Sequence, residues 1–233
     1  MIFLSKKKYY NNETYNSTRE NKINFNDNPE QRELIRLIRD NNTKVIFCDG
    51  NAGTGKTFTS IYTAYQLVRE KKYERILFSR DPVQLGEDMG YLPGGVDEKF
   101  NPFMACLFDN LENIQRLGGP LITEMKPKIE ITPIAFLRGR SIEQAILIVD
   151  EAQNLDLVTL KAILTRVGQY CKVILLGSLN QIDNRHQAKK DKCDFERVRE
   201  CLSEFDFVGN VTLIQSKRSE ICSLIDEKLK ELK

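Results

Sequence analysis

A glycine-rich stretch constrains the possible folds of this chain more than any other feature. It consists of Gly50, Asn51, Ala52, Gly53, Thr54, Gly55, Lys56 and Thr57. The stretch fits the spacing G-x-x-x-x-G-K-[ST]. An apolar run, Lys44–Cys48, precedes it, and residues with helical spacing follow over Ser60–Glu70. This order predicts a strand, a tight loop and a helix in succession.

The residue types in this stretch, called the P-loop below, suit the binding of a nucleotide's phosphates. Glycines let the backbone curl so that successive N–H groups face phosphate oxygens. The positive end of the following helix adds to this attraction. We expect Lys56 to reach the β- and γ-phosphates and the Thr57 hydroxyl to bind Mg²⁺. A dinucleotide-binding loop would need a third glycine at position 58, which is Phe58, so the remaining alternative is a chance glycine-rich turn.

A second motif, "ILIVDEAQN", supplies the carboxylates that hydrolysis of a nucleotide requires. Asp150 follows an apolar run, Ala145–Val149, that is typical of a strand buried on both faces. We expect Asp150 to hold Mg²⁺ and Glu151 to orient or deprotonate the attacking water. The alternative is an acidic helix start after a strand, a common arrangement.

Two glutamines have competing interpretations. Gln181 follows the apolar run Lys172–Gly177, so it is either a sensor of the γ-phosphate or a polar loop residue. Gln31 lies three residues after Asn28 and can close a capping box at a helix start. Gln31 also precedes the P-loop by about twenty residues, where superfamily 1 helicases place a glutamine that reads adenine.

Apolar strands alternating with helices predict an α/β fold with a mostly parallel sheet and helices on both faces. The expected strands are Lys44–Cys48, Arg75–Ser79, Ala145–Val149, Lys172–Gly177 and Val211–Gln215. Residues 1–26 are polar and lack apolar periodicity, so we expect a flexible tail there. Residues 27–233 are expected to form one P-loop domain, closing with a helix over residues 221–232.

Composition indicates the compartment of the protein and the kinds of site that it can carry. The six cysteines form no CxxC pair and the chain has one histidine, His186, which favours free thiols in a reducing compartment over a zinc site. The N-terminus lacks the order of a signal peptide, and no apolar run approaches the ~18 residues of a membrane span. We therefore expect a cytoplasmic protein. The net charge of +2 neither favours nor excludes a nucleic-acid partner.

Several motifs together resemble the PhoH family of P-loop ATPases over roughly residues 27–230. They are "GNAGTGKT", "GEDMGYLPGGVDEKFNPF", "LRGRS", "VDEAQN", "LTRVG" and "NQID". The second of these motifs is far more specific than a P-loop. It lies in a Gly/Pro-rich segment, residues 80–103, which is too long to be only a connecting loop and is expected to be functional. The resemblance implies a RecA-like core related to superfamily 1 helicases, ATP hydrolysis and a link to RNA.

The resemblance also implies roles for single residues. It places Lys56 and Thr57 at the phosphates and Mg²⁺, Asp150 at Mg²⁺, Glu151 in catalysis and Gln181 at the sensor position. Arg218 falls where the family has an arginine after its last core strand. We expect it to contact the γ-phosphate of its own or a neighbouring subunit, with a solvated helix start as the alternative. The chain departs from the family at Ser178, where relatives usually carry aspartate.

Nucleic-acid contacts are expected in two places. The segment from Gly86 to Phe103 is expected to contact nucleic acid or a neighbouring subunit, because it carries aromatic residues such as Tyr91 that can stack on bases. The alternative is an ordered lid whose aromatics belong to the core. Arg138 and Arg140 are expected to contact a phosphate backbone, with a solvated turn as the alternative.

Two functions remain in competition. The first is a Mg²⁺-dependent ATPase that single-stranded RNA or DNA stimulates. Because the chain has one core and helicases usually use two, this function predicts a homo-oligomeric ring such as a hexamer. The second is a module that binds ATP, turns it over slowly and uses the bound state to hold a partner, which Ser178 favours. A small-molecule kinase is a weaker third interpretation because no acceptor-binding motif is found.

Overall fold

A computed structural model describes residues 23–80, 96–137, 142–168, 170–217 and 228. Its centre is a six-stranded sheet with the order β3-β2-β4-β5-β1-β6, in which every described pairing is parallel. The strands are β1 (Val45–Gly50), β2 (Arg75–Arg80), β3 (Ile129–Ile131), β4 (Ala145–Asp150), β5 (Lys172–Gly177) and β6 (Val208–Leu213). The predicted α/β class and parallel sheet are confirmed.

The described helices alternate with these strands along the chain. They are α1 (Pro29–Arg39), α2 (Lys56–Arg69), α3 (Val96–Arg116), α4 (Ile122–Met125), α5 (Ile134–Leu137), α6 (Leu157–Leu164), α7 (Arg185–Ala188) and α8 (Asp194–Leu202). Two short 3-10 turns cover Lys126–Lys128 and Ala152–Asn154. Among the described helices, none is both long and apolar enough to cross a membrane.

Helices cover both faces of the sheet. Side chains alternate between the two faces along each strand, so one strand can contribute to a core on each face. In β1, Ile46 and Cys48 belong to one apolar core together with residues of α1, α2 and α3. Val45 and Phe47 belong to a second core with residues of α5, α6 and α8. The expectation of helices on both faces is therefore confirmed.

Strand β6 differs from the sequence prediction, which placed it at Val211–Gln215. It begins at Val208 and ends at Leu213. Gly209 and Asn210 are weak strand formers, which hid the first half of the strand. The glycine lets α1 lie close to the strand, since a Cβ at Gly209 would lie 2.7 Å from Leu37 Cδ2 and would displace the end of that side chain.

The segment predicted as a loop from Gly86 to Phe103 is helical from Val96 onward. Helix α3 begins at Val96 and continues through Pro102. The rest of the segment, including Tyr91, lies outside the described residues, so its role stays a prediction.

The structure describes the start of the proposed domain but little of its end. Ile23 and Phe25 pack against the core, and the Phe25 ring lies 5.9 Å from that of Tyr62. The packed structure therefore includes residues that the sequence analysis assigned to the tail. Apart from Lys228, the expected closing helix over residues 221–232 lies outside the described part of the chain.

A buried lysine ties the sheet to α1. The side chain of Lys172, at the start of β5, is buried, and its Nζ donates to the carbonyls of Leu37 (3.1 Å) and Asp40 (2.6 Å). Burial lowers the Lys172 pKa to about 8. These bonds satisfy carbonyls at the end of α1 that have no partner within the helix.

A buried carboxylate, Asp194, joins α8 to its neighbours. Its Oδ2 accepts from the backbone N–H of Leu157 at the start of α6 (3.1 Å), from Gln187 Nε2 (3.0 Å) and from Lys190 Nζ (2.5 Å). Burial alone would raise the Asp194 pKa, but these donors hold it at about 2. The ionised form is therefore favoured by folding.

We predict that Asp194→Asn lowers the free energy of unfolding by about 2 kcal/mol near pH 7. The folded pKa lies below the ordinary 3.8, so the carboxylate stabilises the fold above about pH 4, and this contribution disappears as the pH falls toward 2. Urea unfolding at several pH values measures the difference between variant and wild type, which should shrink toward acid pH.

The matched control is Asp191→Asn, since Asp191 is an exposed aspartate three residues earlier. It should change the free energy of unfolding by less than about 0.5 kcal/mol. A pH-independent loss in Asp194→Asn would contradict the ionised hydrogen-bond network.

Candidate nucleotide-binding site

The carboxyl ends of four adjacent strands surround one cleft of about 340 Å³. The loop after β1, the end of β2, the end of β4 and the loop after β5 all contribute to its wall. Parallel pairing brings these strand ends to the same edge of the sheet, where open α/β sheets bind ligands. The lining includes Lys56, Thr57, Asp150, Glu151 and Gln181, so the structure brings these predicted site residues together.

Three glycines of the P-loop, Gly50, Gly53 and Gly55, have a positive φ that favours glycine. Gly50 has φ +154°, and a Cβ there would lie 2.4 Å from the backbone oxygen of Leu213, so a side chain would collide with β6. Gly55 has φ +87°, and a Cβ there would lie 2.4 Å from Gln31 Nε2, so a side chain would be strained and would displace the Gln31 amide.

Helix α2 begins at Lys56 and follows Gly55 directly, so its positive end faces the cleft. The Lys56 Nζ donates to the carbonyls of Gly50 (2.5 Å) and Asn51 (3.0 Å). A cation and a helix start thus meet at one end of the cleft, an arrangement that attracts phosphate.

Two oxygen donors that suit Mg²⁺ stand side by side. Thr57 Oγ1, in the first turn of α2, lies 3.3 Å from Asp150 Oδ1 at the end of β4. Burial raises the Asp150 pKa and the neighbouring Glu151 raises it further, while Arg80 and Lys56 oppose the shift. Hydroxyl and carboxylate oxygens are the ligands that Mg²⁺ prefers, so these residues fit the cation.

Glu151 is held in an unusual backbone conformation beside Asp150. Its φ of 55° lies in the left-handed region, which costs of order 1 kcal/mol for a residue with a side chain. Its two carboxylate oxygens have different partners: Oε1 accepts from Arg80 Nη2 at 3.2 Å and Oε2 accepts from Gln153 Nε2 at 2.7 Å. The carboxylate is therefore fixed from two sides.

Gln153 connects the end of β4 to the loop after β5. Its side chain is fully buried, and besides Glu151 its Nε2 donates to the carbonyl of Gln181 at 2.8 Å. Its Oε1 accepts from the backbone N–H of Ser178 at 3.1 Å. The hydroxyl of Ser178 is buried without a hydrogen-bond partner among the described residues.

The structure separates the two interpretations of Gln31. The N-cap is present, because Asn28 Oδ1 accepts from the backbone N–H of Gln31 at 2.9 Å. The capping box is not closed, because the backbone N–H of Asn28 donates to Phe25 instead and the Gln31 side chain donates to the P-loop carbonyl of Thr54 at 2.9 Å. Contact with adenine stays a prediction for this residue.

The segment after β6 also reaches the P-loop. The backbone N–H of Lys217 donates to the carbonyl of Gly53 at 2.8 Å. The N–H groups of Ile214 and Gln215 donate to Glu30 Oε2 at the start of α1, at 2.6 and 3.1 Å. Arg218 follows Lys217 directly but lies outside the described residues, as do Arg138 and Arg140.

Sequence reasoning missed four residues that line or support the cleft: Arg80, Cys106, Asn110 and Gln153. Arg80 ends β2 next to β4, so the rule of converging strand ends could have found it. Cys106 Sγ lies 3.6 Å from Asp150 Oδ2, and burial followed by the Asp150 charge raises its pKa to about 12. Its helix, α3, had no sequence signal that pointed to this cleft.

A family model described as PhoH-like protein matches residues 25–229. The chain belongs to the PhoH-like family. This confirms the family resemblance drawn from the motifs. Protein PhoH2 of Mycolicibacterium smegmatis is 33% identical over 208 residues, which are 87% of this chain and 46% of that protein. A PhoH-like protein of Synechocystis is 41% identical over 154 residues, 66% of this chain and 46% of the relative.

This PhoH-like chain spans about half the length of the curated relatives it matches. Among solved structures, the Pif1 helicase from Candida albicans is similar with a TM-score of 0.46 at 16% identity, over 88% of this chain and 43% of the helicase.

We predict that Gln153→Met lowers the free energy of unfolding by about 2 kcal/mol. Methionine keeps the volume of the side chain but removes three hydrogen bonds and leaves the buried Ser178 N–H without its partner. Thermal or urea unfolding measures the loss. The same substitution at the exposed Gln215 is the control, and equal stability of the two variants would contradict a structural link through Gln153.

Proposed function

We propose that this chain binds ATP with Mg²⁺ in the cleft and hydrolyses it. The observation that carries the proposal is the meeting of Lys56, Thr57, Asp150 and Glu151 at one sheet edge, each with a partner that fixes its position. A P-loop in the PhoH-like family supports nucleotide binding, and the carboxylate pair beside it supports turnover.

The residues have distinct roles in this proposal. Residues 50–57 bind the phosphates through backbone N–H groups and the Lys56 ammonium. Thr57 and Asp150 hold Mg²⁺, which supplies charge neutralisation for the phosphate oxygens when bound. Glu151 accepts a proton from the attacking water, or orients it, with its carboxylate held by Arg80 and Gln153.

Gln181 and Arg218 interact with the γ-phosphate in this proposal. The backbone of Gln181 is tied to Gln153, so a change at the γ-phosphate can pass to Glu151 through one buried side chain. The backbone N–H of Lys217 donates to the P-loop carbonyl of Gly53, so the residue before Arg218 contacts the P-loop. Arg218 itself contacts the γ-phosphate of its own or a neighbouring subunit in this proposal.

We further propose that single-stranded RNA or DNA stimulates turnover. Support comes from the family resemblance and from the residue types of Tyr91, Arg138 and Arg140, which suit stacking and phosphate contacts.

We also propose that the chain forms a homo-oligomeric ring in the cytoplasm. One core provides one binding site for a strand, so movement along that strand would require several subunits. Native masses with and without ATP that show monomer alone would count against the ring.

A second candidate function is a nucleotide-gated binding module with little turnover. Ser178 favours it, since a neutral hydroxyl stands where relatives usually carry a carboxylate and its oxygen has no partner among the described residues. In this case the cleft would bind ATP as above, and the bound state would hold a partner.

We predict measurable ATP hydrolysis by the purified chain that Glu151→Gln lowers by about 100-fold or more, because the amide cannot accept the proton. Phosphate release is measured with Mg²⁺, alone and with single-stranded RNA or DNA of equal length. The control is Glu143→Gln, an exposed glutamate two residues before β4, which should leave turnover unchanged.

The outcomes separate the two candidates. Turnover that rises with nucleic acid and is lost in Glu151→Gln supports the ATPase, and the preferred strand identifies the partner. Tight ATP binding with wild-type turnover no higher than that of Glu151→Gln would contradict the ATPase and favour the binding module.

A further inference from the structure

A cation that the sequence analysis did not assign stands between the two acidic residues of the cleft. Arg80 is the last residue of β2 and lies opposite Asp150 in the β2–β4 register. Its Nη1 lies 3.7 Å from Asp150 Oδ2 and its Nη2 lies 3.2 Å from Glu151 Oε1. The planar guanidinium thus contacts both carboxylates at once, which a point charge on a flexible stem would not do.

The charges in the cleft indicate why this contact matters. Asp150 is buried, and an unpaired buried carboxylate is costly. The Lys56 ammonium is directed to the carbonyls of Gly50 and Asn51. Among the described residues, Arg80 is the cation that forms ion pairs with Asp150 and Glu151.

Arg80 also limits where the Glu151 carboxylate can point. The Glu151 side chain is partly exposed, so the groups that contact it decide its orientation. Gln153 fixes one carboxylate oxygen and Arg80 fixes the other. Without Arg80 the carboxylate would keep a single neutral donor and could rotate about it.

We infer that Arg80 is a positioning residue that fixes Glu151 and balances the charge of Asp150 beside the bound cation. The inference rests on the proposed function, since it concerns how the same cleft handles Mg²⁺ and the attacking water. Arg80 does not contact the P-loop in the described contacts, so its effect should fall on catalysis and cation binding more than on binding of the Mg²⁺–nucleotide complex.

Two measurable consequences follow for Arg80→Gln. The maximal rate of hydrolysis should fall about tenfold to 100-fold while KM for ATP changes less than about threefold, because orientation of Glu151 is lost. Removing one positive charge should also make the cleft bind Mg²⁺ better and free nucleotide anion worse. The ratio of the ADP dissociation constant in EDTA to that in Mg²⁺ should therefore rise about tenfold.

The experiment compares wild type with Arg80→Gln, Arg80→Lys and the control Arg75→Gln. Arg75 starts the same strand at its far end and pairs with Glu130 at 3.7 Å, so the control removes an arginine ion pair away from the cleft. A fluorescent ADP derivative gives the two dissociation constants, and phosphate release gives kcat and KM. Arg80→Lys should recover part of the rate, and added methylguanidinium should raise the rate of Arg80→Gln alone.

The two measurements distinguish the possible failures. An unchanged binding ratio together with unchanged kcat in Arg80→Gln would overturn the inference while leaving the ATPase intact. Wild-type turnover equal to that of Glu151→Gln, with the ratio still raised in Arg80→Gln, would overturn the ATPase and keep the charge role of Arg80. Wild-type protein that binds no ADP would overturn both the ATPase and the role of Arg80. If kcat falls in Arg80→Gln no more than in Arg75→Gln, Arg80 has only a structural role.

Discussion

Parallel pairing of β2, β4, β5 and β1 is the constraint on which the rest of the structure depends. Each strand enters the sheet from the same side, so Arg80, Asp150, Gly177 and Gly50 all end at one edge. The P-loop, the carboxylate pair and the loop that carries Gln181 therefore meet although they are separated by up to about 130 residues in sequence. A shift of one strand by one residue would exchange its two faces and misplace its last side chain.

Charge balance at this edge follows from the same geometry. A buried Asp150 is tolerable because Thr57 and Arg80 stand beside it, and both positions are set by the strands and the helix that carry them. Burial raises the pKa of Asp150, and the neighbouring Arg80 and Lys56 oppose the shift. The Thr57 hydroxyl and the Asp150 carboxylate, side by side in the cleft, are the kinds of oxygen ligand that Mg²⁺ prefers.

Much of this arrangement could be predicted from the sequence, because the P-loop and the run before Asp150 combine strong apolar patterns with short motifs. Strand β5 was predicted with its observed bounds, Lys172–Gly177, since residues 173–176 are all aliphatic. Strand β6 was misplaced because Gly209 serves packing against Leu37 rather than strand propensity. Long-range partners such as Arg80 for Glu151, or Gln31 for the P-loop, depend on the register of the sheet, which local patterns do not encode.

In the proposed function, the cleft binds Mg²⁺–ATP with Lys56 at the γ-phosphate and Glu151 at the attacking water. A crystal structure with Mg²⁺, ADP and aluminium fluoride tests this function most directly. We expect the fluoride group beside Lys56 Nζ, the cation on Thr57 Oγ1 and near Asp150, and a water between the fluoride group and Glu151. A nucleotide bound elsewhere, or bound here with Glu151 turned away from any water in line with the fluoride group, would contradict it.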